Sequence, residues 1–193
     1  MTDQLIAWDK ALFRFLNELH HPQLDQVMYQ ISQTYFWIPF YALLLYLLAR
    51  KFKTSAWAPI ICIALAIGIS DRITSGVMKP YFERHRPSHD ATVQEFVHTV
   101  NGYRGGQFGF ASSHAANTFA VATFFWLLFR DSSKWALWLF PWAMLVSYSR
   151  IYLGVHFPAD IIVGGLVGIV SAAGSFYLSN VLDKKLVARR NLS

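Results

Sequence analysis

Polar positions are sparse along this chain, and the gaps between them are long. A helix needs about 20 mainly apolar residues to cross a hydrocarbon layer about 30 Å thick. Five stretches approach that length: Asp25 to Ala49, Ala56 to Met78, His114 to Phe129, Trp135 to Tyr148 and Ala159 to Val181. The first is strongest from Tyr35 onward, and the third and fourth are short enough to need flanking residues or a thinner bilayer. Ahead of them Leu5, Trp8, Leu12, Phe13, Leu16 and Leu19 recur every three or four positions, which predicts an amphipathic helix over 3–21 lying in the membrane interface. That segment lacks the charged start, unbroken apolar run and small-residue cleavage site of a signal peptide. The expected fold is therefore all-α: a polytopic membrane helix bundle of about five transmembrane helices plus the N-terminal interfacial helix, in one membrane-embedded domain over 1–193.

Composition agrees with this pattern. Of the 193 residues 54% are hydrophobic and only 15% charged, against about 25% charged in soluble domains. Collagen, coiled coil, disorder and a disulfide scaffold are excluded by the same counts, since one cysteine, Cys62, can form no internal bridge. The seven Trp and nine Tyr suit interfacial belts. One long polar stretch, 79–113, lies between the second and third apolar segments, and a connection of that length is usually functional.

The net charge of +6 is not evenly spread. Arg50, Lys51, Lys53, Arg130, Lys134, Lys184, Lys185, Arg189 and Arg190, nine of the 17 basic residues, fall on one membrane face if there are five spans. By the positive-inside rule that face is cytoplasmic. This placement explains the basic excess and disfavours nucleic-acid binding. The opposite face receives the N-terminus, the 79–113 loop and the Ser149–Phe157 junction.

Lys79, Arg86 and Arg150 remain on that opposite face, beside His114 and His156, brought there by span parity alone. One such cation simply snorkels to headgroups. Three of them with two histidines and Asp160 suit a phosphate, for which Arg offers a planar fork and Lys a compact charge. His156 and Asp160 are spaced i, i+4, so on a helix Asp160 can hold one imidazole nitrogen and leave the other as nucleophile or base. As a bland alternative, Asp160 merely caps a helix after Pro158. Ser112 and Ser113 precede His114 at a predicted helix start, where free N–H groups cap the helix or bind an anion. Asp71 and Arg72, inside the second span, are expected to be a buried pair or a gating feature. Glu83, Arg84, His85 and His89 are expected to touch a second phosphate or to face water.

Three segments carry a resemblance. Lys79-PYFERH-Arg86-Pro87, Ala111-Ser112-Ser113-His114 and Ser149-Arg150-IYLGV-His156-FPA-Asp160 resemble the three motifs of the type 2 phosphatidate phosphatase superfamily. The first and third match in full; in the second, Ala111 and Ser113 replace the usual Pro and Gly. Length, N-terminal helix and span order look like the small bacterial undecaprenyl-diphosphate phosphatases. The resemblance implies His156 as the nucleophile that forms a phosphohistidine, Asp160 as its orienter and His114 as the general acid. It further implies Lys79, Arg86, Arg150, Ser112 and the backbone of Ser113 and His114 as phosphate ligands. No carboxylate cluster suited to Mg²⁺ is visible, so no metal and no cofactor are expected.

The function this implies is hydrolysis of a phosphorylated lipid, foremost undecaprenyl diphosphate, at the outer face of a bacterial inner membrane, with the C-terminus cytoplasmic. Phosphatidylglycerol phosphate, phosphatidate and lipid A phosphates are the alternative substrates, and a lipid phosphotransferase would use the same site. A channel or scaffold would make the motif set a coincidence. The related vanadate-dependent haloperoxidases resemble soluble proteins, unlike a chain with five spans.

Overall fold

The computed structural model describes residues 2–190, with side chains from 3 to 181. The cationic side chains of Lys184, Lys185, Arg189 and Arg190, counted above for orientation, lie outside the described residues. Among the described residues the fold is all-helical, with one isolated bridge between His85 and Phe108. The helices are α1 (Thr2–Glu18), α2 (Pro22–Ser32), α3 (Ile38–Phe52), α4 (Trp57–Asp71), α5 (Lys79–Phe82), α6 (Ser113–Phe129), α7 (Leu139–Tyr152) and α8 (Pro158–Arg190).

The centre of the bundle is α6, packed most extensively on α8 and then on α4 and α7. Gly164 and Gly168 make the α6–α8 contact possible. A Cβ on Gly164 would stand 2.3 Å from the Ser112 carbonyl oxygen, and one on Gly168 2.0 Å from that of Ala116. In lipid, where apolar surface gains nothing by leaving water, such close backbone packing is what holds helices together. It also has a local consequence. Asp160 lies one turn before Gly164, and its carbonyl accepts from the Ser112 N–H at 2.9 Å, which locks the starts of α6 and α8 side by side.

Among the described residues two helices are long and apolar enough to cross a membrane, Trp57–Phe82 and Pro158–Val181. The first predicted span is a bent pair instead: α2 and the stretch Thr34–Ser55 meet at 73° and make a third crossing if taken as one. The bend comes at Gln33, whose backbone is extended, and the Trp37 indole N–H caps the released Ile31 carbonyl at 2.8 Å. At 17 and 14 residues, α6 and α7 are the short pair that the pattern anticipated. The second span continues past Met78. A π-helical turn, Arg72–Met78, passes into α5, so Lys79 sits on the last helical turn rather than in the loop. In that wide turn Thr74 Oγ1 donates back to the Ser70 carbonyl at 2.8 Å, a side-chain bond that competes with the regular helix ladder.

The apolar stripe of α1 is split between two faces. Phe13 is buried and meets Phe157 edge-on, with Leu16 packed beside them. Leu5, Trp8, Leu12, Phe15 and Leu19 stay exposed. The buried Asn17 amide donates to the Ile151 and Tyr152 carbonyls at 3.0 and 2.9 Å, capping the end of α7. Trp142 corrects the belt expectation: it is buried in the bundle against Trp37, Phe40 and Tyr41.

Candidate active site

The predicted residues converge at one end of the bundle, opposite the end where Lys51 reaches the Leu128 carbonyl at 3.1 Å. His156 lies in the turn between α7 and α8. Its Nδ1 is 3.3 Å from Asp160 Oδ2, and the same oxygen accepts from the Phe157 N–H at 2.9 Å. Asp160 thus makes both contacts anticipated above, one with the imidazole and one with the backbone at the start of α8. With Nδ1 carrying the proton toward Asp160, Nε2 has a lone pair, and Arg86 Nη1 stands 3.1 Å from it. Burial first, and then the Arg86, Arg150 and Lys79 charges, push the His156 imidazole well below the usual histidine range.

Arg86 is itself fixed by the Phe108 and Val155 carbonyls, each at 3.1 Å. Burial and the Arg150 charge bring its guanidinium down to about 10, so it is cationic at neutral pH. Arg150, 2% exposed, donates to Ser32 and, at 3.0 Å, to the Tyr103 hydroxyl, yet its Nε has no partner among the described residues. An unsatisfied buried donor is costly, and an anionic ligand would relieve it. Lys79 donates to Ser113 Oγ at 2.7 Å and Ser75 Oγ at 3.2 Å. The serine that replaces the family's usual glycine is therefore a side-chain partner of the lysine. Ser112 caps α6 with its hydroxyl toward the Ala115 N–H at 3.5 Å. Among the described residues no hydrogen bond is made by the His114 ring, which lines a cavity.

That cavity, about 580 Å³, follows α6 through Ser113, His114, Asn117, Val121 and Phe125, and α4 from Ile60 to Asp71. Its lining is mainly apolar, with Asp71, Ser113, His114 and Asn117 among the polar groups. Within the described residues no three His, Cys, Asp or Glu side chains are grouped so as to hold a metal.

Arg84, expected to touch a second phosphate or to face water, instead joins two carboxylates, and Asp9 carried no signal in the sequence. Arg84 pairs with Asp160 Oδ1 at 2.8 Å and with Asp9 Oδ2 at 2.5 Å, while Asp9 Oδ1 accepts from the Ala159 N–H at 2.8 Å. The only available signal was Arg84's place two residues before Arg86. Asp71 and Arg72 do not form the expected pair: both are exposed, and no ion pair joins them among the described residues. Helical neighbours point about 100° apart, which separates their side chains. His85 faces Gln107 at 3.3 Å, and His89 Nε2 is buried without a partner among the described residues.

The PAP2 superfamily model matches residues 56–183, which contain every predicted site residue. A protein of Bacteroides thetaiotaomicron named lipid A 4'-phosphatase is 35% identical over 96% of this chain and 83% of its own length. One of the same name from Porphyromonas gingivalis is 38% identical over 87% and 71%. The crystal structure of Aquifex aeolicus LpxE superposes with a TM-score of 0.66 at 29% identity, covering 86% of this chain and 93% of that one. With three motifs gathered around one buried histidine, the chain belongs to the PAP2 superfamily and is a membrane lipid phosphatase.

Proposed function

We propose that the protein removes phosphate from a phosphorylated glycolipid of the lipid A type at the outer face of a bacterial inner membrane. The supporting observation is His156: it is neutral, held through Nδ1 by Asp160, and presents Nε2 to a nest of three cations. Two relatives named lipid A 4'-phosphatase, matched over most of both chains, favour that lipid over the undecaprenyl diphosphate expected from length, N-terminal helix and span order. Undecaprenyl diphosphate is kept as a second reading, on the resemblance in length and span order. The whole chain acts as one domain, with the exposed face of α1 in the interface, the 79–113 loop outside and the C-terminus in the cytoplasm.

In the proposed reaction Lys79, Arg86, Arg150 and the α6 N-terminus, with Ser112, hold the phosphoryl oxygens. Such charge stabilisation is most of what phosphoryl transfer requires of a protein. His156 Nε2 attacks phosphorus as the ester P–O bond breaks. His114 gives its proton to the leaving oxygen, and the product alcohol departs, leaving a phosphohistidine. Water then attacks phosphorus and passes a proton to His114; the P–N bond breaks and inorganic phosphate leaves. Arg86 Nη1 stands at the Nε2 lone pair, and in this reaction the phosphate oxygens take over that donor and free the nucleophile.

Phosphate release by the purified protein from a lipid A-type 4'-phosphate tests the reading. Turnover should disappear in His156→Ala and survive excess EDTA. Activity lost to chelator and restored by Mg²⁺ would overturn the mechanism, and no release from that lipid would overturn the substrate.

A further inference from the structure

We infer that Asp71 and Asn117 form a leaving-group subsite that selects phosphate monoesters whose alcohol carries a hydroxyl or amide N–H beside the ester, and that turns diphosphates away. This rests on the proposed assignment of His114 as proton donor. The leaving oxygen must then lie on the His114 side of phosphorus, and on that side is the cavity. Asn117 is one turn along α6 from His114, and Asp71 faces the same space from the end of α4.

Their hydrogen-bonding capacity is complementary. Asn117 Oδ1 accepts from Ser70 Oγ at 2.8 Å, so its amide N–H₂ is the part left to offer. Asp71 Oδ1 accepts from Ser75 Oγ at 3.3 Å, and Oδ2 has no partner among the described residues. A donor beside an acceptor suits a hydroxyl, which both gives and takes a hydrogen bond. Asp71 is a carboxylate in a membrane-crossing helix, next to a π-helical turn. Both features mark functional positions more often than packing ones.

Position also sets what is refused. Ser75 connects Asp71 to Lys79, so the carboxylate is two hydrogen bonds from the ammonium that would hold the phosphate. A diphosphate would bring its leaving phosphate, an anion, toward Asp71 without a cation on the cavity wall to meet it. Selectivity built on such repulsion is a common way to exclude a close competitor.

The test uses the full chain in mixed micelles, comparing wild type with Asp71→Asn, Asp71→Ala and Asn117→Ala. Four lipids are assayed: a glucosamine lipid 4'-phosphate, phosphatidylglycerol phosphate, phosphatidate and undecaprenyl diphosphate. The expected result is that Asp71→Ala and Asn117→Ala lower kcat/KM about tenfold more on the first two than on phosphatidate. Asp71→Asn should raise the diphosphate relative to phosphatidate by about ten- to a hundredfold. The two donor-bearing lipids separate a sugar from a glycerol as the source of the hydroxyl. Equal losses on all four lipids would overturn the inference and make Asp71 a support for Lys79, as would a wild-type preference for the diphosphate. If Asp71→Ala fails to fold, the isosteric Asp71→Asn decides on the diphosphate arm alone. Wild type inactive on the glucosamine lipid, with the variant ratio still shifted for phosphatidylglycerol phosphate, would reject the proposed lipid and keep the subsite.

Discussion

Arg84 is paired at 2.8 Å with the fully buried Asp160, and through its other nitrogen at 2.5 Å with Asp9 of the N-terminal helix. Its guanidinium also lies 4.3 Å over the Phe157 ring. Asp160 thus has Arg84 on one oxygen, and His156 with the Phe157 N–H on the other. Removing one partner of a buried pair leaves the other uncompensated. Arg84→Met should lower kcat about 10- to 100-fold, as losing a partner that orients a histidine typically does, with little change in KM. Arg84→Lys should recover part of the loss and Asp9→Asn should cost less. Steady-state kinetics on one lipid checks this, and a change confined to KM would instead make Arg84 a substrate ligand.

Burial first, and then the Arg86, Arg150 and Lys79 cations, hold the His156 imidazole well below the usual histidine range, against a hydrogen bond to the Gly109 backbone. An ordinary histidine near 6.5 is about three-quarters protonated at pH 6. His156 is lowered, so its lone pair should persist there, and kcat/KM, corrected for the substrate's own phosphate ionisation, should stay flat as pH falls through 6.5. The unfolded chain takes up that proton first, so the same shift removes stability as pH falls below 6.5. The pH dependence of the thermal midpoint should therefore be shallower in His156→Gln. An acid limb centred at 6.5 or above would contradict this.

Lys51 reaches across to the end of α6 at one end of the bundle, while all the motif residues gather at the other. With the basic end in the cytoplasm, a Cys at Gln94 in a Cys62→Ser chain should react with an impermeant thiol reagent in cells whose outer membrane has been opened. Labelling only after complete lysis would place the site in the cytoplasm.

His114 makes no ring hydrogen bond among the described residues and faces the cavity where the leaving group would sit. General acid catalysis, about 10²- to 10⁴-fold, matters most for a poor leaving group. His114→Ala should therefore keep more activity on an aryl phosphate with an acidic phenol than on an alkyl phosphate lipid, whereas His156→Ala should be inactive on both. Equal losses for His114→Ala would assign it to phosphate binding.

The chemistry was legible in the sequence wherever it is local. His156 and Asp160 meet because four residues make one helical turn, and Ser112 caps α6 because a serine before an apolar run does so in any fold. Span parity brought Arg150 and Lys79 to the same end without a single contact being known. Contacts across long separations had no such signal. Arg84 and Asp9 meet only because α1 folds back over the α7–α8 turn, and the split of α1 into two apolar faces depends on what Phe13 and Leu16 find there. Hydropathy likewise treats Ser32 and Thr34 as neighbours in one span; the bend at Gln33 exists because the chain can cap Ile31 with Trp37. Asp71 and Arg72 looked like a pair because they are adjacent, and the helix points them apart. Periodicity and spacing determine which faces and ends residues share, since they follow from backbone geometry alone. Which distant side chain meets each carboxylate was decided only when the helices packed.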